Sequence, residues 1–173
     1  MSAPELKIVL LNESHTLFEF DCGVPQLNDY LIKHALSNNQ NRSARTYVAT
    51  RATRVVGYYT LAVGSVTRSD TPARVSKGLA NYPVPIILIA RLAIERSEHG
   101  QGLGKGLLKD ALLRCISVSE IAGCRAVLVH AKDDLAVGFY RKFGFESSPL
   151  HERHLYLLMK DLIASNRPSA PDS

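Results

Sequence analysis

The segment Arg96–Leu108, RSEHGQGLGKGLL, places Gly100, Gly102, Gly104 and Gly106 on alternate positions. Before it, Pro85–Ile94 is rich in isoleucine and leucine, as in a strand buried on both faces. After it, Leu107, Leu108, Ala111, Leu112 and Cys115 mark one apolar face of a helix. A strand, a glycine loop and a helix in that order point to an α/β fold. Glycines at such a junction let the backbone turn sharply and approach a ligand without a Cβ in the way. The unpaired N–H groups of the helix start then converge on one spot and favour a phosphate.

Two common phosphate loops fail on spacing. A dinucleotide fingerprint needs a third glycine where Leu107 stands, and a P-loop needs Ser or Thr after Lys105, where Gly106 stands. A plain glycine-rich turn before a helix stays open as the structural alternative.

The rest of the chain supplies a mixed α/β order. Lys7–Leu11 suits an opening strand. Pro25 suits the first turn of a helix, with Leu27, Tyr30, Leu31, Ala35 and Leu36 on its apolar face. Arg45–Thr50 and Val55–Val63 read as a strand pair around a short turn, and Thr67–Tyr82 as a loop or short helix. Ala126–Ala131 is a second buried strand. Ala136, Phe139, Tyr140 and Phe143 space a short helix ending at Gly144. Leu155–Met159 closes the domain as a last strand. At 173 residues the chain fits one domain, residues 1–164, and the proline-broken SNRPSAPDS of 165–173 reads as a flexible tail.

Gln101-Gly102-Leu103-Gly104-Lys105-Gly106 resembles the Q/R-x-x-G-x-G/A pyrophosphate loop of the coenzyme A-dependent N-acetyltransferases of the GNAT superfamily. Gly138-Phe139-Tyr140-Arg141-Lys142-Phe143-Gly144-Phe145 resembles the A-x-x-F-Y-x-x-x-G-F element that follows it in that family. The resemblance runs from about Phe18 to Leu162. It implies a single GNAT domain, a mixed central sheet flanked by helices, using acetyl-CoA. It also implies that Leu92, Ala93 and Ile94 hold the acetyl and pantetheine groups. His99, Gly100, Gln101, Gly102, Leu103, Gly104, Lys105 and Gly106 would hold the pyrophosphate, with Phe139 beside the cofactor and Tyr140 as general acid.

A narrower set of stretches is similar to acetyltransferase toxins of type II toxin–antitoxin pairs. Phe20-Asp21-Cys22-Gly23 with Leu27 and Tyr30-Leu31 resembles their F-x-C-G-x-x-x-L-x-x-Y/F-L opening. Thr46-Tyr47-Val48-Ala49, Gly57-Tyr58-Tyr59 and Arg91-Leu92-Ala93-Ile94 resemble three of their strands. The resemblance implies acetylation of the α-amino group of aminoacyl-tRNA and a block of translation. It further implies a homodimer and neutralisation by a ribbon-helix-helix antitoxin, with DNA reached only through that antitoxin. Acetylation of a small-molecule or protein amine is the enzyme alternative, and a non-catalytic CoA-binding regulatory module is the other.

The residues fit direct transfer to an amine. A phenol with pKa near 10, such as Tyr140, can protonate a departing thiolate, although helical spacing alone reads Tyr140 as a core aromatic. No strong general base stands out. That suits an α-amine with pKa about 7.7–8.0, which is substantially neutral at working pH. Glu95 reads as a solvated carboxylate, or as a base acting through water. The chain carries 21 Lys plus Arg against 16 Asp plus Glu, a net charge of +5, which favours an anionic partner. Lys33, Arg42, Arg45, Arg74, Lys77, Arg91, Arg141 and Lys142 are the candidate RNA contacts, each otherwise a solvated surface charge. Three cysteines without a CxxC, and histidines without ligand spacing, give no disulfide framework and no metal site. Cys115 reads as a core residue. The amino end lacks a signal-peptide pattern and no apolar run is long enough for a membrane helix, so a cytoplasmic protein is expected.

Overall fold

The computed structural model describes residues 4–80 and 82–167. Its elements are β1 (Leu6–Leu10), α1 (Pro25–Asp29), a π-helical segment (Tyr30–His34), α2 (Ala35–Asn41), β2 (Arg45–Arg51) and β3 (Arg54–Val66). There follow α3 (Ala73–Ser76), β4 (Val84–Ile94), α4 (Leu103–Ile121), β5 (Ala126–His130), α5 (Asp134–Arg141), β6 (Glu146–Ser147), β7 (His154–Leu158) and α6 (Met159–Ser165). The seven strands form one mixed sheet in the order β1-β2-β3-β4-β5-β7-β6, flanked by helices. β4 and β5 are sheet neighbours joined through α4, the connection that crossover topology requires. The chain gathers into two compact units, and β3, β4 and α4 each pass from one into the other.

One unit holds the chain up to Ala62 together with Ile89–Ala111. β1 pairs antiparallel with β2, Leu6 opposite Arg51, and β2 pairs antiparallel with β3, Arg51 opposite Arg54. The tight turn between β2 and β3 puts Ala52 at φ +55°. Pro25 opens α1 as expected, at the position where its missing N–H costs nothing. Tyr30, Leu31 and Ala35 are buried there with Val48, Val55 and Tyr58. Phe20 meets the Tyr58 ring edge-on at 5.6 Å, and Tyr30 stacks beside Tyr58 at 6.4 Å. The helical stretch widens into a π turn at this packing site, where it brings Tyr30, Leu31 and Ala35 to one face.

The other unit holds Val63–Leu88 and the chain from Leu112 onward. β5 pairs antiparallel with β7, Ala126 opposite Leu158, and β6 pairs with β7 as a two-residue edge strand. Val75, Val84, Ile86, Ala126, Leu128, Tyr156 and Leu158 form its core. The Arg125 guanidinium donates to the carbonyls of Val75 and Lys77 and fixes α3. Asp133 caps α5 by accepting from the Ala136 N–H at 2.8 Å. Where Leu155–Met159 was expected as a closing strand, the strand ends at Leu158 and Met159 starts α6, burying Met159 and Leu162. Ser165 is the last residue of α6, so it belongs to a helix and not to the segment expected as a tail; residues 168–173 of that segment lie outside the described residues.

Candidate active site

The glycine loop is built where β4 leaves the sheet. A short turn, Arg96–Glu98, follows β4, and Gly100 and Gly102 take φ of +79° and +80°, the left-handed conformation that L side chains rarely adopt. The first backbone bond that closes α4 runs from the Gly106 N–H to the Gly102 carbonyl, at 3.1 Å. The amides of Leu103, Gly104 and Lys105 are thereby left as outward donors at the positive end of a 19-residue helix. Nothing lies within 4 Å of where a Cβ would stand on Gly100, Gly102 or Gly106. No neighbouring atom therefore crowds those glycines on the side a side chain would fill. The Leu103 side chain itself turns inward and is buried, as are Leu107, Leu108 and Ala111 along the same helix face. Gln101 and Lys105 are exposed. His99 Nε2 lies 2.8 Å from the Ile94 carbonyl oxygen, so the ring donates from that nitrogen and ties the loop to the end of β4. Leu92 and Ile94 are half-buried and Ala93 is buried.

Tyr140 stands on α5, in the second unit. It is 8% exposed, with Phe139 and Phe145 edge-on to its ring at 5.2 and 5.6 Å. Its hydroxyl makes no hydrogen bond among the described residues. No fully buried side-chain oxygen or nitrogen there lacks a partner, so this hydroxyl reaches solvent. Burial pushes the phenol up to about 12, and it therefore carries its proton throughout the neutral range. An aromatic body packed in apolar surroundings with an unclaimed O–H at its tip is a proton donor in want of an acceptor. Val137, which helical spacing had not singled out, is the other buried residue of α5.

The Acetyltransferase (GNAT) domain family matches residues 42–147, a span that contains both the glycine loop and Tyr140. The chain belongs to the GNAT acetyltransferase family. A tRNA-acetylating toxin of Mycobacterium tuberculosis is 47% identical over 151 residues, 87% of this chain and 90% of that protein. The structure of AtaT complexed with acetyl-methionyl-tRNAfMet superposes with a TM-score of 0.87 at 29% identity, covering 94% of this chain and 100% of AtaT. A tyrosine-to-phenylalanine mutant of AtaT, bound to the C-terminus of the antitoxin AtaR and to acetyl-CoA, gives a TM-score of 0.80 at 30% identity, covering 94% and 98%.

Within this GNAT domain the structure corrects one sequence expectation. Glu95 is not a solvated carboxylate: it is 7% exposed, paired with the Arg54 guanidinium, and accepts from the Ser97 hydroxyl at 3.0 Å. It caps the strand end as an ion-pair partner, and neither Arg54 nor Ser97 carries a local sequence signal for that role. The basic residues divide. The Arg91 guanidinium lies over the Tyr30 ring, 3.6 Å from its centroid. Arg45 donates to the Asn39 carbonyl and side chain, Arg74 bridges Glu146 and Asp161, Arg141 donates to Ser147, and Lys33 pairs with Asp29. The side chains of Arg42, Lys77, Lys105 and Lys142 have no partner among the described residues. Cys115 is fully buried, its thiol pushed up to about 12 by burial, which suits packing and not nucleophilic attack. His154 stacks on His130 at 4.0 Å between ring centroids and meets His151 at a tilt at 4.6 Å. Among the described residues no group of three or more His, Cys, Asp or Glu is placed to hold a metal ion. No helix there is long and apolar enough to cross a membrane.

Proposed function

We propose that this acetyltransferase moves an acetyl group from acetyl-CoA to the α-amino group of aminoacyl-tRNA and so blocks translation. Acetyl-CoA supplies an activated thioester. The amides of Leu103, Gly104 and Lys105 bind its pyrophosphate, helped by Lys105 and Gln101, while Gly100, Gly102 and Gly106 leave the room it needs and His99 steadies the loop. The backbone of Leu92, Ala93 and Ile94 aligns pantetheine and polarises the acetyl carbonyl. The neutral amine attacks that carbonyl, a C–N bond forms, the C–S bond breaks, and the amine's extra proton leaves to water. Tyr140 gives its phenolic proton to the departing sulfur, and Phe139 packs beside it. Burial keeps the phenol protonated throughout the neutral range, so the proton is in place when the sulfur departs.

The observation that carries the choice of acceptor is the identity, over most of both chains, with a protein named for acetylating tRNA. The state of Glu95 agrees with it: among the described residues this carboxylate, the one weighed as a base, is committed to Arg54. An α-amine needs no such base. In this reading the protein works in the cytoplasm as a homodimer, and a ribbon-helix-helix antitoxin restrains it and carries it to DNA.

Labelled acetyl-CoA offered with charged tRNA, uncharged tRNA and a polyamine tests the proposal. Label is expected on charged tRNA alone and is released as an N-acetyl amino acid when the ester is hydrolysed. Label on the polyamine alone overturns the reading in favour of a small-amine acetyltransferase.

A further inference from the structure

The turn that launches the glycine loop and the residue just before it carry three charged side chains, Glu95, Arg96 and Glu98, and each is held by an opposite charge from a different part of the first unit. Glu95 is paired with Arg54 of β3. Glu98 takes a two-pronged grip from Arg51 of β2, Nε to Oε1 at 2.9 Å and Nη2 to Oε2 at 3.3 Å. Arg96 lies 3.9 Å from the Asp21 carboxylate, and its N–H donates to the Asp21 carbonyl at 2.9 Å. We propose that Arg51, Arg54 and Asp21 form a clamp that presets the acetyl-CoA pyrophosphate loop, acting as positioning residues and never touching the cofactor.

The physical need is plain. A loop with two glycines at positive φ has many conformations to lose, and an unrestrained one pays that entropy each time ligand binds. Three amides must also converge on one diphosphate, a geometry tolerant of errors of only about 0.5 Å. The hydrogen bonds around the clamp point the same way. Arg51 also donates to the Pro4 carbonyl at 2.9 Å, Asp21 accepts from the Gly23 N–H and from Asn28, and the Glu95 N–H donates to the Val56 carbonyl. The guanidinium of Arg51 holds the Glu98 carboxyl below its usual range, so the pair stays ionised at working pH. Asp21 belongs to the F-D-C-G opening. That gives the segment a task in cofactor binding that its place at the other end of the sequence does not suggest.

The inference rests on the glycine loop binding acetyl-CoA, and the experiment separates the two. Acetyl-CoA is titrated calorimetrically into the full chain, into Arg51→Glu, into Glu98→Arg and into the double reversal, each first matched for its melting transition. Each single reversal is expected to weaken acetyl-CoA binding about ten-fold, and the double reversal to restore it to within about three-fold. At saturating acetyl-CoA the turnover of all folded variants stays close to that of the unaltered chain, with the change confined to KM. Were Arg51 a direct phosphate ligand, the reversed pair would bind as poorly as Arg51→Glu, and that result overturns the clamp, as do single reversals that bind normally. Where Arg51→Glu does not fold, Glu98→Gln and Arg54→Met carry the same expectation, with Arg54→Lys recovering part of the loss. No binding by the unaltered chain overturns the functional reading and the clamp together.

Discussion

Gly104 packs so closely on Ile94 that a Cβ at position 104 would stand 2.9 Å from the Ile94 Cδ1. Non-bonded carbons prefer about 3.5–4.0 Å, so an alanine there makes either the Ile94 Cδ1, the far end of its side chain, or the first turn of α4 give way, and both border the pyrophosphate amides. Alanine is also the better helix former by about 1 kcal/mol, which offsets the clash in overall stability. Gly104→Ala is therefore expected to melt within a few degrees of the unaltered chain and to bind acetyl-CoA about ten-fold more weakly, roughly the cost of misplacing one charge-assisted amide contact. Ile94→Val removes the Cδ1 and, combined with Gly104→Ala, restores binding. Calorimetry on the three variants checks this, and unchanged affinity for Gly104→Ala contradicts it.

Tyr140→Phe deletes only a hydroxyl that no described residue uses, so the fold has nothing to lose. Melting temperature and acetyl-CoA affinity are expected to stay as they are. Turnover on charged tRNA falls about 10²- to 10⁴-fold, the usual contribution of a positioned general acid. Single-turnover transfer from labelled acetyl-CoA measures the drop; a variant that keeps full activity removes Tyr140 from the chemistry.

The central strand, loop and helix were legible in the sequence because their patterns are strong and local. Leu107, Leu108, Ala111, Leu112 and Cys115 all fall in the core where helical spacing puts them. The family resemblance in the loop and around Tyr140 was local too. What escaped was of two kinds. The π turn at Tyr30–His34 and the switch from β7 to α6 at Met159 turn on a residue or two of backbone geometry, which hydrophobic spacing cannot resolve. The ion pairs Arg51–Glu98 and Arg54–Glu95 join residues 47 and 41 positions apart, and a charge carries no mark of its distant partner. Glu95 was misjudged for that reason: without Arg54 in view, a carboxylate at a strand end reads as solvated.

The pH profile follows from the two groups that move protons in the proposed mechanism. An acid works while it holds its proton, and Tyr140, pushed up to about 12, loses activity only as pH rises through that value. The acceptor works when neutral, so kcat/KM climbs as the α-amine deprotonates, at about 7.7–8.0 or lower for an aminoacyl ester. The expected profile rises to about pH 8 and stays level to about pH 10, with no descending limb in between. A fall within that interval, measured on charged tRNA at saturating acetyl-CoA, assigns the acid role to another group.

The division among basic residues separates the proposed RNA contacts from structural ties. Arg74 is committed to Glu146 and Asp161 at 2.8 Å each, while the side chains of Arg42 and Lys142 have no such engagement among the described residues. A cation that neutralises a phosphate releases a counterion, and its removal flattens the salt dependence of binding by about one unit in the log–log slope. Arg42→Ala and Lys142→Ala are each expected to weaken binding of charged tRNA and flatten that slope by about one, with melting temperature unchanged. Arg74→Ala is expected to do the reverse. Its pairs are exposed and screened by solvent, so it lowers the melting temperature slightly and leaves the slope alone. Filter binding across a salt series, read beside thermal melts, distinguishes the two classes; if Arg74→Ala flattens the slope and Lys142→Ala does not, Arg74 gives up its carboxylates to the RNA and the division fails.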